Sequence, residues 1–288
     1  MDGLHIENIF EIELPNNKNK FNIFPVGDIH LDSVGFDREV WKRDLKRIKA
    51  IKEPCYFLGM GDYTDFTRWT TRSTLRKTVE DEIVQEKMDL SADRLKKELV
   101  KDLEFTKGRW IGVHAGNHDW SYSDGALLSN KLATELGGSF LGETATTVLK
   151  IKTFRGGHRS NVNCLKIFSA HGTGGGGTTI GNSLNQVDKM RNIYGFCDLY
   201  LMGHNHHKDS KQVELLDFST VTGRIYSHPQ WLIRTGSYTR GYVPNKGTYV
   251  SKKLMRPVSL GCVRIEVEMV RDQKNGKDFV RPQIHVWK

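Results

Sequence analysis

The sequence predicts an α/β protein, on three observations. Short apolar runs of strand length alternate with stretches of helical periodicity over most of the chain. The final third loses that alternation and becomes strand-rich. Five of the strand-like runs also end in short segments built from Gly, Asp, His and Asn.

In chain order, strands are expected at Asn22–Val26, Cys55–Gly59, Trp110–His114, Thr147–Ile151, Cys164–Ala170 and Leu199–Met202, then at Gln212–Leu216, Trp231–Thr235, Val263–Val270 and Pro282–Val286. Between the early strands, Val40, Trp41, Leu45, Ile48 and Ile51 recur at helical spacing and predict a helix over Arg38–Ile51. The charged stretch Ser73–Phe105 reads as two helices, the second capped by Ser91. A further helix is expected over Asn182–Tyr194, closed by Gly195. With no internal repeat and no linker, residues 1–288 read as one domain. It carries a helical insert at about 73–105 and a strand-rich basic part at about 211–288.

Composition excludes several classes. Apolar residues are 38% and charged residues 27%, which excludes a disordered or fibrous chain. No apolar run reaches membrane-spanning length. The start, MDGLHIENIFEIEL, lacks the basic residues and apolar stretch of a secretory signal, and a cytoplasmic protein is expected. Cys55, Cys164, Cys197 and Cys262 are widely spaced, three of them in apolar strand contexts, and read as buried free thiols. The net charge is +9, but it is not spread evenly. Ser219–Ile265 contains no acidic residue and eight basic ones: Arg224, Arg234, Arg240, Lys246, Lys252, Lys253, Arg256 and Arg264. With those eight set aside, the 43 basic residues fall to 35, against 34 acidic.

The five strand-end segments are Gly27-Asp28-Ile29-His30, Gly59-Met60-Gly61-Asp62-Tyr63-Thr64-Asp65, Gly116-Asn117-His118-Asp119, Ser169-Ala170-His171-Gly172 and Gly203-His204-Asn205-His206. A carboxylate or imidazole placed just after a strand stands at the carboxyl edge of the sheet, where open α/β sheets bind ligands. Oxygen and imidazole donors without Cys suit Mn, Fe, Zn or Ni rather than a structural thiolate zinc. In Asp28-x-His30 and His204-x-His206, alternate residues of an extended segment point the same way, so each pair can reach one ion. The donors exceed what one four-coordinate ion needs, and two ions sharing a bridging carboxylate is the economical arrangement for in-line phosphoryl displacement.

These segments resemble the calcineurin-like metallophosphoesterase superfamily, whose blocks are DxH, GDxxD, GNH(D/E), H and GHxH. The likeness runs from Gly27 to His206. It implies a two-sheet β-sandwich flanked by helices, which also accounts for the strand-rich final third. It implies two divalent ions, Mn²⁺ foremost with Zn²⁺, Fe²⁺/³⁺ or Ni²⁺ as alternatives. One would take Asp28, His30 and His206, the other Asn117, His171 and His204, with Asp62 bridging. A hydroxide held between the metals would attack phosphorus. His118 would act as general acid beside the leaving group, and Asp119 would orient His118 or shape the site. Asp119 and Asp65 can instead hydrogen-bond loop backbone, while His207 and His114 read as bystander and structural residue. The Arg-Gly of the protein Ser/Thr phosphatase GDxxDRG block is missing and GNHE is GNHD here, which argues against that branch. The HGTGGGG segment is also similar to phage- and prophage-type members.

Two segments bear on the substrate. Arg68, Trp69, Arg72, Arg76 and Lys77 follow the Asp62 block closely. The basic stretch interleaves its cations with Tyr226, Trp231, Tyr238, Tyr242 and Tyr249, and cations with aromatic faces suit a single-stranded nucleic-acid surface. The alternative is sandwich core with a solvated charged face. Arg68, Trp69, Arg72, Gly174, Gly175, Tyr238 and Arg240 are the candidate substrate contacts. The glycines at 174–177 allow close backbone approach to a phosphate. The expected activity is a metal-dependent phosphodiesterase or nuclease acting on nucleic acid or nucleotides, with no membrane partner. A phosphomonoesterase or small-nucleotide phosphatase on the same site is the alternative, and a non-catalytic scaffold a third.

Overall fold

The computed structural model describes residues 8–15, 18–65, 82–155, 158–174, 183–274 and 277–288. Two sheets face one another. The first contains β1 (Asn8–Glu13), β5 (Thr144–Arg155), β6 (His158–Ala170), β7 (Leu199–Met202), β9 (Ile225–Ser237) and β10 (Gly261–Cys262) in that order, with β8 (Lys208–Phe218) also pairing with β9. The second runs β12 (Lys277–Trp287), β11 (Arg264–Lys274), β2 (Lys20–Val26), β3 (Cys55–Gly59) and β4 (Trp110–Val113). The alternating Ile and Leu of each inner face build the core between them: Ile23, Leu58, Ile111, Ile265 and Val267 from one side, Ile151, Leu165, Ile167, Leu201 and Ile233 from the other.

Helices cover the outer faces. α1 (Arg38–Lys49) buries Trp41 and Ile48 against the second sheet, with α2 (Glu82–Leu103) and α3 (Leu128–Leu136) beside it. Asp37 caps α1 by accepting from Val40 N (3.1 Å), and Lys46, Arg47 and Lys49 offset the dipole in the last turn. Trp41 Nε1 donates to Asp102 Oδ2 (2.8 Å), tying α1 to α2. Across the molecule, α4 (Asn185–Met190) packs Val187 and Met190 on Phe168, Tyr200 and Leu232 of the first sheet. α5 (Tyr249–Lys252) is a single turn. No helix among the described residues is long and apolar enough to cross a membrane.

Several expectations change. α2 is one helix that runs through position 91. Ser91 Oγ donates back to Lys87 O (2.9 Å), as a mid-helix serine can, instead of capping a new helix. The insert before Glu82 lies outside the described residues. α4 ends at Met190 with Arg191 as its cap, so Gly195 does not close it. The sequence reading misses β1 and also α3, which ends at Gly137 in the left-handed conformation (φ 74°). All four cysteines are free, but Cys164 is exposed on β6 because it faces outward there.

The topology makes one edge special. β2, β3 and β4 are mutually parallel in one sheet, and β6 and β7 are parallel in the other. Their registers end level, with Val26 opposite Gly59, Gly59 opposite Val113, and Ala170 opposite Met202. Five strand ends therefore open on one rim. Just below it, buried His114 ties the sheets together. Its Nδ1–H donates to Gly142 O (3.1 Å), and its Nε2 accepts from Ser169 Oγ of β6 (2.8 Å). Burial pushes this imidazole down to about 4.

A histidine that must stay neutral sets an acid limit. The unfolded chain takes up the proton near the ordinary value of about 6.5, the folded one only near 4. His114 therefore withdraws stability as pH falls through that window, on the order of 3 kcal/mol in all. Urea unfolding of the protein and of His114→Asn at pH 6.5 and 4.5 checks this. The variant should lose less on acidification, and an equal loss in both would contradict the assignment.

Candidate metal centre

Each strand end delivers its donor through a turn. β2 leads into Asp28 and His30, β3 into Asp62, β4 into Asn117 and His118, β6 into His171, and β7 into His204 and His206. The DxH and HxH pairs are not extended. Asp28 (φ 46°), His30 (φ 48°), Asp62 (φ 50°), His204 (φ 69°) and His206 (φ 62°) all adopt left-handed backbone conformations, so each pair converges by curling the chain. The loops are lashed together by main-chain bonds. Asp28 N donates to Gly61 O (2.9 Å), and Ile29 N and His30 N both donate to Asp62 O (2.9 and 3.1 Å).

Two glycines make the approach feasible. A Cβ on Gly116 would stand 2.1 Å from Asp62 Oδ1 and 2.3 Å from Asp62 N. A Cβ on Gly203 would stand 2.7 Å from Asp28 Oδ2. In their absence, Asp62 Oδ1 accepts from His118 N and Asp28 Oδ2 accepts from His204 N, both at 2.9 Å.

The remaining donor atoms fall into two groups. In one, His30 Nε2 and His206 Nε2 are 3.1 Å apart, and His206 Nε2 is 3.6 Å from Asp28 Oδ1. In the other, Asn117 Oδ1 is 2.9 Å from His171 Nε2 and 2.8 Å from His204 Nδ1, and those two nitrogens are 3.3 Å apart. Asp62 Oδ2 stands between the groups, 3.8 Å from His30 Nε2 and 3.3 Å from His171 Nε2. Three overlapping groups of side chains could hold a metal ion: Asp28, His30 and His206; His30, Asp62 and His118; and Asp62, His171 and His204.

The donor set fits divalent cations. Asp28 Oδ1 is buried without a hydrogen-bond partner among the described residues. His171 Nδ1 lies 2.7 Å from Met60 O, so its proton points there and Nε2 of the neutral ring faces the cluster as an acceptor. Asp28 Oδ1, Asp62 Oδ2 and Asn117 Oδ1 can only accept, so positive charge is needed among them, whether as protons on the imidazoles or as a cation. Burial pushes Asp28 up to about 6. Burial acts the same way on Asp62, but His171, His30 and His118 outweigh it and hold that carboxyl well below its usual range. His171 resists charging through burial, yet the Asp62 carboxylate lifts it to about 9. Burial, followed by neighbouring imidazoles, depresses His204 to about 4 and His206 to about 3.

His118 lies at the edge of this cluster, its ring edge-on to His30 at 5.0 Å. The carboxylate beside it is Asp65, whose Oδ1 is 2.9 Å from His118 Nδ1 and 3.5 Å from His30 Nδ1. Burial opposes the charge on Asp65, but these two imidazoles hold it well below the usual carboxylate range. Asp119 is engaged elsewhere. Its Oδ1 accepts from Ser129 N (3.1 Å) and its Oδ2 from Ser129 Oγ, which anchors the start of α3. A sequence in which both Asp65 and Asp119 follow a motif residue does not show which one turns towards the imidazole.

The candidate substrate contacts disperse. Tyr238 is fully buried against Trp41 (ring centroids 4.8 Å apart) and presents no surface. Arg240 Nε donates to the α1 cap Asp37 (2.5 Å). Gly174 has φ 84° and lies next to Gln186, whereas Gly175, Arg68, Trp69 and Arg72 fall outside the described residues. Arg234 is buried and Arg264 is bound to Asn22 and Glu266, while Arg224, Lys246, Lys252, Lys253 and Arg256 are exposed. The helical insert also bears on the site. Asp89 of α2 accepts from Trp120 Nε1 (2.8 Å) and Ser123 N (3.0 Å), and Asp93 accepts from Tyr122 Oη (3.0 Å), fixing the chain just beyond His118.

No protein-family model matches the sequence, and no curated protein does. Two solved structures are similar in shape. Vacuolar protein sorting 29 from Cryptosporidium parvum is 12% identical, with 93% of this chain and 99% of that one covered at a TM-score of 0.38. Wild-type Vps29 from Entamoeba histolytica, solved in complex with Zn²⁺, is 14% identical, with 92% and 98% covered at a TM-score of 0.38.

The contact at Gly116 gives a sharp test. Gly116→Ala forces the added methyl into the backbone and carboxylate of Asp62. It is expected to abolish divalent-metal uptake. Gly195→Ala meets only Arg191 O at 3.8 Å and should bind metal like the unaltered protein. Calorimetric titration of metal-stripped samples with Mn²⁺ distinguishes them. Equal uptake by the two variants would contradict the geometry.

Proposed function

We propose that the protein is a metal-dependent phosphoric ester hydrolase of the calcineurin-like type, acting on phosphodiesters of nucleic acid or nucleotides. The observation that carries this reading is the position of Asp62. One of its carboxylate oxygens lies between two groups of inward-facing donors, and the other holds the backbone of His118. Asp28, His30 and His206 would hold one divalent ion, Asn117, His171 and His204 a second, and Asp62 would serve both. Two such ions supply Lewis acidity that activates water and offsets charge on phosphoryl oxygens.

The chain's own residues account for the proton. Asp65 Oδ1 stands at ion-pair distance from His118 Nδ1 (2.9 Å) without hydrogen-bond geometry, so its carboxylate faces that side of the ring and Nε2 would be the atom that protonates the leaving oxygen. Against burial, the imidazoles of His118 and His30 keep Asp65 ionised to low pH. Asp65 further approaches Nδ1 of His30, turning the other nitrogen of that ligand towards the cluster. Asp119 supports the turn through Ser129.

The preference for diesters on a polyanion rests on the exposed cations. The chain leaves the site beside Asp28, where Tyr238 N donates to Asp28 O (3.1 Å) and Arg240 N to Gly35 O (2.7 Å). It then presents Lys246, Lys252, Lys253 and Arg256 to solvent, with no carboxylate in this stretch of sequence.

Two measurements test the proposal. With Mn²⁺, the protein should hydrolyse a bis-aryl phosphate and single-stranded DNA. His118→Ala should lower the rate by about 10²–10⁴, and Asp65→Asn by about 10–100-fold. Full activity on monoesters with none on diesters would select a phosphomonoesterase instead, and no hydrolysis by metal-loaded protein would leave a scaffold. Affinity for single-stranded DNA should fall steeply with salt, and the log–log slope should flatten by about 1.4 in the Lys252→Gln, Lys253→Gln double variant. A slope unchanged by the substitutions would remove the basic loop from the substrate surface.

A further inference from the structure

Among the described residues, Arg234 is the largest charged side chain with no exposed surface. It lies in β9, opposite Met202 of β7 in parallel register, one residue before the turn that carries His204. Nε donates to Ser183 O (2.7 Å) and Nη1 to Gly203 O (2.8 Å), while Nη2 has no partner among the described residues. No carboxylate among the described residues lies within ion-pair distance. Burying a guanidinium on those terms is costly, and the apolar neighbours Leu232 and Ile233 show that β9 fits hydrophobic side chains here.

The partner carbonyl identifies the role. Gly203 O and His204 N belong to one peptide group. Arg234 holds its oxygen, and Asp28 Oδ2 accepts from its N–H at 2.9 Å. His204 is left-handed (φ 69°), a conformation that persists only if the flanking peptide is fixed. The same peptide plane therefore sets the direction of His204, a donor of one group, and of Asp28, a donor of the other.

We infer that Arg234 is a positioning residue of the metal centre, orienting His204 and Asp28 together through the Gly203–His204 peptide. This rests on the metal reading above and does not depend on the substrate. Its positive charge is part of the device. It faces the carbonyl end of the peptide dipole while the Asp28 carboxylate faces the N–H end, so the two ions polarise one hydrogen-bonded unit from both sides.

The test uses metal-stripped full-length protein, titrated calorimetrically with Mn²⁺, beside Arg234→Met and Arg234→Lys. Near-ultraviolet circular dichroism and melting of the metal-free samples report the fold. A positioning role predicts a Kd for Mn²⁺ weakened about 10–100-fold in Arg234→Met with a retained metal-free fold, and partial recovery in Arg234→Lys. A variant that melts earlier but binds Mn²⁺ with an unaltered Kd overturns the inference and leaves Arg234 structural. Failure of the unaltered protein to bind Mn²⁺ overturns the metal reading itself, and this inference with it. Should both variants fail to fold, the unaltered protein decides. The ¹⁵N resonance of Arg234 Nε should shift in step with added Zn²⁺, and an unmoved resonance overturns the proposal.

Discussion

Most of this structure depends on one conformational demand. Five residues that point donor atoms at a common centre hold positive φ, although none is glycine. For an L-residue that conformation costs roughly 1–2 kcal/mol, because Cβ crowds the following carbonyl. It persists only where surrounding contacts leave no easier alternative. Here they are supplied from both sheets. The Asp28–His30 turn hangs on Gly61 O and Asp62 O of the β3 loop, and Asp28 O accepts from Tyr238 N and Ser237 Oγ at the end of β9. The glycines of the motifs serve the same demand, since side chains at 116 or 203 would occupy the space of the neighbouring carboxylates.

The sequence makes the donors legible because their chemistry is restrictive. Few arrangements need Asp, His and Asn after five separate strands, and the parallel strands then bring those ends to one rim. The backbone geometry is less legible. Alternation in DxH and HxH suggests extended chain, whereas Asp28 and His30 converge by a left-handed curl that no residue type announces. The strands are more legible than their limits, because β5, β6 and β9 extend beyond their apolar cores into polar sequence. α3 carries Leu128, Leu132, Ala133 and Leu136 at helical spacing but is short, and its first turn is held from outside by Asp119, a capping contact that local sequence does not show.

Charge shows the same limitation. A stretch without carboxylates and interleaved with tyrosines reads as one surface, yet its members do different work. Tyr238 fills the space beside Trp41, Arg240 faces the α1 cap, Arg264 binds Asn22, and Arg234 sits beneath Gly203. Linear sequence records how many cations a segment has, but the pleat decides which face each one joins. Arg224 in the β8–β9 turn and Lys246, Lys252, Lys253 and Arg256, where regular strand gives way to loop and a single helical turn, keep their charges on the outside.

The division of labour within each donor separates this cluster from an ordinary buried polar network. A structural network alternates donors with acceptors until every atom is satisfied. Here individual side chains are satisfied on one side alone. His171 gives Nδ1 to Met60 O and turns Nε2 inward. Asp28 gives Oδ2 to His204 N and leaves Oδ1 without a partner. Asp62 gives Oδ1 to His118 N and turns Oδ2 towards two imidazoles. The outward atoms are fixed by backbone, which needs no further charge, and the inward atoms include the carboxylate oxygens of Asp28 and Asp62 and the amide oxygen of Asn117, which cannot donate to one another. Protons can relieve part of that conflict, as the raised His171 and Asp28 indicate, but the depressed His204 and His206 resist them. Cations that accept several lone pairs at once would relieve all of it, which is what makes these side chains a candidate metal site.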